Sequence, residues 1–246
     1  MFAKLTRHSN REIDSLRTVS ATLDYLKHPL GSCLIAFGNT KVICTATIEE
    51  KPAPFLRGTG QGWVTAEYSM LPCSTHDRNQ REVTRGKLSG RTQEIQRLIG
   101  RALRMAVDLK AIGERQIIID CDVIQADGGT RTAAITGGFI ALCSAMQKLQ
   151  KQNRITKWPV IRQVAAVSCG IIFGNPVLDL DYQEDSNAAV DANFVIDHMG
   201  AILEIQGTAE RNPFSQEELL QMLQLAKKGA QELISLQKQT LGFAIC

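Results

Sequence analysis

Six carboxylates gather between positions 179 and 197 of this 246-residue chain: Asp179, Asp181, Glu184, Asp185, Asp191 and Asp197, with no lysine or arginine among them. Asp185 and Asp191 flank Ser186-Asn187-Ala188-Ala189-Val190. Clustered like charges are costly unless a cation compensates. Carboxylates without accompanying His or Cys suit a hard, oxygen-seeking ion such as Mg²⁺. The plain alternative is an exposed acidic turn, but apolar strands on either side argue for partial burial. An opposite concentration runs from Arg78 to Arg104, where Arg78, Arg81, Arg85, Lys87, Arg91, Arg97, Arg101 and Arg104 face only Glu82 and Glu94. Charge runs are usually surface, so both segments could be solvated faces or could pair with each other.

Two loops add weight to an anion site. Arg91 precedes a helix, whose N-terminus already carries positive partial charge; an arginine there is unfavourable unless an anion sits between. Free N–H groups at such an end bind phosphate, and a guanidinium adds a bidentate fork. Arg91 could instead cap a loop carbonyl or pair with an acid. Asp127-Gly128-Gly129-Thr130-Arg131-Thr132 also opens into a helix. Its glycines let successive N–H groups converge on an oxyanion, with the Thr130 hydroxyl and the Arg131 guanidinium beside them; a capped tight turn would read the same. A phosphate site, carboxylate-held Mg²⁺ and a basic loop together suggest phosphoryl or nucleotidyl transfer on a polyanion.

These residues need a scaffold. Ser32 to Phe37 and Thr40 to Ile48 read as strands joined by a two-residue turn at Gly38-Asn39. Residues 50–90, with prolines, glycines and charges, read as a long loop or lid. Ile95, Leu98, Ile99, Ala102, Leu103, Ala106 and Val107 recur at helical spacing. Ile117 to Gln125 reads as a strand with Asp120 and Asp122 on one face, and a helix follows the Asp127 turn to about Leu149. The second half offers strands at Val164 to Cys169, Gly170 to Phe173, Val177 to Tyr182, Asn193 to Ile196 and Ala201 to Gln206. A last helix starts at Ser215, capped reciprocally with Glu218, and runs to about Gln237. Strand blocks followed by helices, twice over, suggest a layered α/β or α+β fold with mixed sheets. We expect one domain over 1–246, with halves at about 10–149 and 160–240.

Composition is that of an ordinary globular protein, 44% hydrophobic and 22% charged, which excludes a disordered, collagenous or coiled-coil chain. A net charge of +3 says little about partners. The seven cysteines, Cys33, Cys44, Cys73, Cys121, Cys143, Cys169 and Cys246, show no Cys-x-x-Cys spacing and read as reduced, mostly buried thiols of a cytoplasmic protein. The segment Met1 to His8 lacks the apolar core of a signal peptide, and no stretch approaches a membrane span. His8, His28, His76 and His198 are scattered and read as surface or loop residues. There is no Gly-x-Ser-x-Gly elbow and no Walker A loop. Gly58-Thr59-Gly60-Gln61-Gly62 lacks the flanks of a dinucleotide loop and reads as flexible.

Gly60 to Pro72, Ser89 to Arg101, Cys121 to Ala133, Asp179 to Asp191 and Glu204 to Glu210 resemble the motifs of the ribonuclease PH family, and the resemblance extends over roughly residues 7 to 240. It implies an α+β fold of the ribosomal-protein-S5-domain-2 type. It implies a phosphate-dependent 3′→5′ exoribonuclease trimming precursor tRNA, reversible and releasing nucleoside diphosphates. By the match, Arg91, Gly129, Thr130 and Arg131 hold the attacking phosphate, and Asp185 and Asp191 are catalytic and metal-associated, with Mg²⁺ as cofactor. The family forms a homohexamer, a trimer of dimers. Its pattern commonly has arginine where this chain has Cys73, in a basic loop associated with RNA binding and assembly; Arg78 and Arg81 remain there. A catalytically inert RNA-binding ring subunit is the rival reading, but such a subunit is expected to lack the phosphate arginine or the carboxylates. A small-molecule kinase on an S5-like fold would need a glycine-rich nucleotide loop that is absent.

Overall fold

A computed structural model describes residue 7, residues 9–243 and residue 245; His8, Cys246 and the segment Met1 to Thr6 lie outside the described residues. The first half is a five-stranded sheet in the order β1-β2-β3-β5-β4, formed by β1 (Val19–Leu23), β2 (Gly31–Phe37), β3 (Thr40–Glu49), β4 (Trp63–Met70) and β5 (Gln116–Gln125). Gly38-Asn39 makes the expected tight turn, with Phe37 opposite Thr40. Along β5 the residues Ile117, Ile119, Cys121 and Val123 are buried, while Asp120 and Asp122 face outward. Both line a cleft whose walls partly desolvate them, which pushes both carboxyls up, and the Asp120 charge adds to the rise at Asp122.

Residues 50–90 are not one long loop. β4 lies inside them, parallel to β5 and buried at Val64, Ala66 and Tyr68. Parallel neighbours need a crossover, and α1 (Gly90–Met105) supplies it by packing on β4. Helix α1 starts earlier and ends earlier than its apolar spacing suggests, and Val107 instead bridges to Val160. Gly62 is held rather than flexible: a Cβ there would lie 2.6 Å from the Gly113 carbonyl oxygen. A one-turn helix α2 (Leu109–Ile112) leads into β5.

Helix α3 (Thr130–Lys151) is buried nearly all round because it packs on β2, β3 and β5 of one sheet and on β6 of the other. The second sheet has the order β7-β6-β8-β9, from β6 (Val164–Ile172), β7 (Asn175–Leu178), β8 (Val190–Asp197) and β9 (Ile202–Ala209). The two strands expected over 164–173 are one, because the chain continues extended through Gly170. A Cβ there would lie 2.6 Å from both the Val190 carbonyl oxygen and a Leu180 methyl, so the glycine permits close packing. Helix α5 (Gln216–Leu241) begins with the Ser215–Glu218 capping box and covers this sheet. One continuous buried cluster draws on both sheets and all three long helices.

The strand expected over Val177 to Tyr182 stops at Leu178. Asp179 then takes a left-handed backbone, φ +55°, and Asp181 caps a single helical turn, α4 (Tyr182–Asp185), in a reciprocal capping box with Glu184. Arg7 donates from Nε and Nη2 to the Glu184 carboxylate, 2.6 Å each, with both side chains buried. Burial alone would raise the Glu184 carboxyl, but the Arg7 guanidinium more than offsets it and the group sits below its ordinary 4.5. A lowered carboxyl stabilises the fold above the ordinary value, and that stability is lost as pH falls through the folded value. Glu184→Gln leaves Arg7 uncompensated and is expected to cost about 3–5 kcal/mol at pH 7, with a shallower loss of stability on acidification than the wild type. Urea denaturation from pH 7 to pH 3 checks this; identical slopes in the two proteins would remove the ion pair as the cause.

Candidate active site

Ser89 opens α1 by accepting a hydrogen bond from the Thr92 N–H at 3.1 Å, a cap contributing about 1 kcal/mol. The Thr92 hydroxyl donates to Glu82 at 2.7 Å, which ties the preceding loop to the helix. No acid occupies the first turn, and Arg91 stands exposed within it. Its charge adds to the positive helix end, beside the Glu82 carboxylate that the Thr92 hydroxyl draws to this turn, and an exposed guanidinium at a helix N-terminus favours an anion.

The strand β5 delivers the chain to Asp127-Gly128-Gly129. Both glycines have positive φ, +74° and +65°, and Gly129 is the N-cap of α3 with no side chain capping the helix. Glycine is required at 128: a Cβ would lie 2.6 Å from the carbonyl carbon of Asp181. The buried Thr130 hydroxyl shares a 2.8 Å hydrogen bond with the Tyr68 hydroxyl of β4. Arg131 donates to Gln206 Oε1 of β9 at 3.0 Å and lies 3.6 Å from the Glu94 carboxylate of α1. Tyr68 and Gln206 lie in motifs quoted from the sequence, yet they acquire a role only through these contacts. The alternation of β4 was the one signal that could have turned Tyr68 inward.

The acidic segment divides in two. Asp179, Asp181 and Glu184 are compensated by arginines, not by a metal: Arg17 pairs with Asp179, Arg7 with Glu184, and Arg11 approaches all three. Asp197 accepts from the Met199 and Ala201 N–H groups at 2.9 Å each and lies 3.8 Å from Arg162. Asp185 and Asp191 remain. Asp185 ends α4, and Asp191 sits on β8 opposite Gly170 and Thr208. Burial raises the Asp185 carboxyl, against the pull of Arg91 and Arg131. Burial and then the Asp185 charge push Asp191 up to about 6, again against Arg131 and Arg91. The contacts place these groups in one neighbourhood: Arg131 reaches Glu94 of α1 and Gln206 of β9, the strand that pairs with β8 at Asp191, and Glu210 adds negative charge there.

This donor set fits Mg²⁺. Among the described residues no group of three or more His, Cys, Asp or Glu is arranged to enclose a metal, and Mg²⁺ usually takes one or two carboxylates and keeps water and substrate phosphate as its other ligands. Two desolvated carboxylates with raised values are the kind of pair that a divalent cation relieves.

The basic segment is also divided. Arg104 stacks 4.4 Å over the Trp63 ring and donates to the Val64 carbonyl, and Arg101 reaches Glu204 at 3.5 Å. Arg78 and Arg81 are exposed on the loop between β4 and α1. Arg81 joins Arg91, Tyr68, Asp120 and Asp122 around a cavity of about 790 Å³, whereas Arg78 does not line it. Cys73 is exposed on the same loop, and the other five described cysteines are buried and in no disulfide.

The 3′ exoribonuclease family matches this chain twice, its domain 1 over residues 15–147 and its domain 2 over residues 162–229. Ribonuclease PH of Methylobacterium sp. (strain 4-46) and that of Cereibacter sphaeroides (strain ATCC 17029 / ATH 2.4.9) are each 58% identical over 236 residues, covering 96% of this chain and 100% of theirs. The chain belongs to the ribonuclease PH family. The fold of this family member is correspondingly close to two solved structures. Rice (Oryza sativa) Rrp46 superposes with a TM-score of 0.78 at 18% identity, covering 96% of this chain and 100% of that one. The Archaeoglobus fulgidus exosome with RNA bound to the active site gives 0.79 at 17% identity, covering 93% and 91%. The α+β ribonuclease PH fold expected from the motifs is the fold found.

Proposed function

We propose that this ribonuclease PH family member trims the 3′ ends of precursor tRNA by phosphorolysis. The carrying observation is the convergence of two helix N-termini, each bearing an arginine, on a pair of desolvated carboxylates. Arg91 and Arg131, with the loop at Gly129 and Thr130, bind and orient inorganic phosphate. One phosphate oxygen bonds to the phosphorus of the terminal nucleotide as the bond to the neighbouring 3′-oxygen breaks, releasing a nucleoside diphosphate. The reverse reaction extends the RNA from a diphosphate. Asp185 and Asp191 would hold Mg²⁺, which supplies positive charge to the scissile group. Arg78 and Arg81 give the RNA backbone a basic approach. An inert ring subunit would have no use for the paired arginines and carboxylates kept together here.

The chain is expected to degrade an oligoribonucleotide only with inorganic phosphate and to release diphosphates. Product analysis with and without phosphate decides: monophosphates formed equally in phosphate-free buffer would end the phosphorolytic reading. We further propose a homohexamer, a trimer of dimers, for which light scattering at micromolar protein is the check and a monomer is the contrary result. Five buried cysteines in no disulfide support a reducing, cytoplasmic setting, and no helix of the described residues is long and apolar enough to cross a membrane.

A further inference from the structure

Arg17 is a buried arginine that no motif singles out. Its backbone N–H donates to Asp179 Oδ2 at 2.7 Å. Its side chain grips the same carboxylate through Nε at 3.0 Å and Nη2 at 2.7 Å. That bidentate pair would satisfy the charge by itself, yet the guanidinium does more. Nη1 donates to the carbonyl of Asp127 and Nη2 to that of Gly128, at 3.4 Å. One planar group thus joins the turn that leads to Asp185 with the loop that opens α3.

The direction of these contacts matters. In a planar trans peptide the C=O and N–H point opposite ways. Holding the Asp127 and Gly128 carbonyls on Arg17 therefore turns the N–H groups of Gly128 and Gly129 away from it. Thr40 completes the grip: its buried hydroxyl accepts from the Asp127 N–H at 2.9 Å and donates to the Gly128 carbonyl at 2.6 Å. The two chain segments touch, since a Cβ on Gly128 would lie 2.7 Å from the Leu180 carbonyl oxygen, and the Tyr182 N–H donates to Asp127 Oδ1 at 3.3 Å. Asp179 keeps its left-handed backbone while bound to Arg17, a conformation few non-glycine residues adopt.

We infer that Arg17 is a positioning residue of the phosphate site: clamped to Asp179 and supported by Thr40, it aims the N–H groups of the Gly128-Gly129 loop and sets that loop's distance from the carboxylate turn. This rests on the reading of the loop as the phosphate site. A lysine at 17 would keep the charge but not the fork, and could not hold a carboxylate bidentately and two carbonyls together. Thr40→Val removes the second grip without leaving a buried charge behind.

The test measures binding of inorganic phosphate to the full chain by titration calorimetry, beside phosphorolysis kinetics and thermal melts. Ile112→Ala is the comparison for simple destabilisation, because Ile112 is fully buried and precedes β5 at the end away from the Asp127 loop. The expected result is phosphate affinity lowered tenfold or more in Arg17→Lys and threefold or more in Thr40→Val, with the KM for RNA within twofold of wild type and Ile112→Ala binding phosphate normally despite its lower Tm. If Arg17→Lys does not fold, Thr40→Val carries the decision. Normal phosphate affinity in the folded variants would overturn the clamp alone, as would equal losses in Ile112→Ala, which would reduce Arg17 to structural support. A wild-type chain that binds no phosphate would remove the phosphate reading itself.

Discussion

Asp191→Asn is expected to lower kcat for phosphorolysis by about a hundredfold to ten-thousandfold while leaving the protein folded. Charge stabilisation by a bound metal supplies several kcal/mol, and each 1.36 kcal/mol is about tenfold in rate. Asparagine keeps the shape and one oxygen but not the charge that holds the cation. The free protein offers a check that does not depend on turnover. Burial, with the Asp185 charge behind it, pushes the Asp191 carboxyl up to about 6. Between its ordinary 3.8 and about 6 the native state therefore binds the proton that the unfolded state has released, so this group costs stability as pH rises through that window. Without metal at pH 7, Asp191→Asn should melt no lower than the wild type. The same proton competes with the cation, so the Mg²⁺ needed for half-maximal wild-type activity should rise as pH falls below about 6, by up to about tenfold per unit. Kinetics over Mg²⁺ and pH, with melts in chelator, settle the matter; a wild-type kcat for the folded variant would remove Asp191 from the site.

The two arms of the site differ in how far the sequence announces them. Asp127-Gly128-Gly129-Thr130-Arg131 is local: its glycines, hydroxyl and arginine are neighbours in the chain, and the structure finds the expected helix start there, with both glycines at positive φ. Ser89 before Arg91 is equally local. The acidic run is not. Six like charges in a row suggest a single cation site, but Arg7, Arg11 and Arg17 compensate three of them from more than 160 residues away, a separation at which sequence spacing carries no information. Asp181 and Glu184 turn out to be spent on capping one helical turn. The strand β4 shows the opposite failure: its alternation is present at Val64, Ala66 and Tyr68, but the glycines before it and the charged loop after it mask a half-buried strand. The break expected between Cys169 and Gly170 fails for a third reason, since a glycine needed for close packing reads the same in sequence as one that interrupts a strand. Arg17, Tyr68 and Gln206 gain their roles only from contacts made in the folded chain.

Arg91→Ala should separate phosphate binding from both folding and RNA binding. Arg91 is exposed in the first turn of α1, which contains no acid of its own. A bidentate guanidinium–phosphate contact comprises charge-assisted bonds of about 1.5–3 kcal/mol each. Losing it should lower kcat/KM for phosphate by about tenfold to a thousandfold, chiefly through a higher KM for phosphate. Arg91→Lys, which keeps the charge but not the fork, should fall between. RNA affinity should change little, because Arg78, Arg81 and Arg97 remain in the same segment. The stability effect should have the opposite sign: a cation at a helix N-terminus is unfavourable by about 0.3–1 kcal/mol, so its removal should leave the melting temperature unchanged or slightly raised. Added phosphate should then reverse the order, stabilising the wild type more than the variant, since a ligand that binds only the native state raises its stability according to affinity. Melts with and without phosphate, alongside kinetics at fixed RNA and varied phosphate, measure both signs. An Arg91→Ala protein with wild-type phosphate KM and wild-type stabilisation by phosphate would place the attacking anion elsewhere.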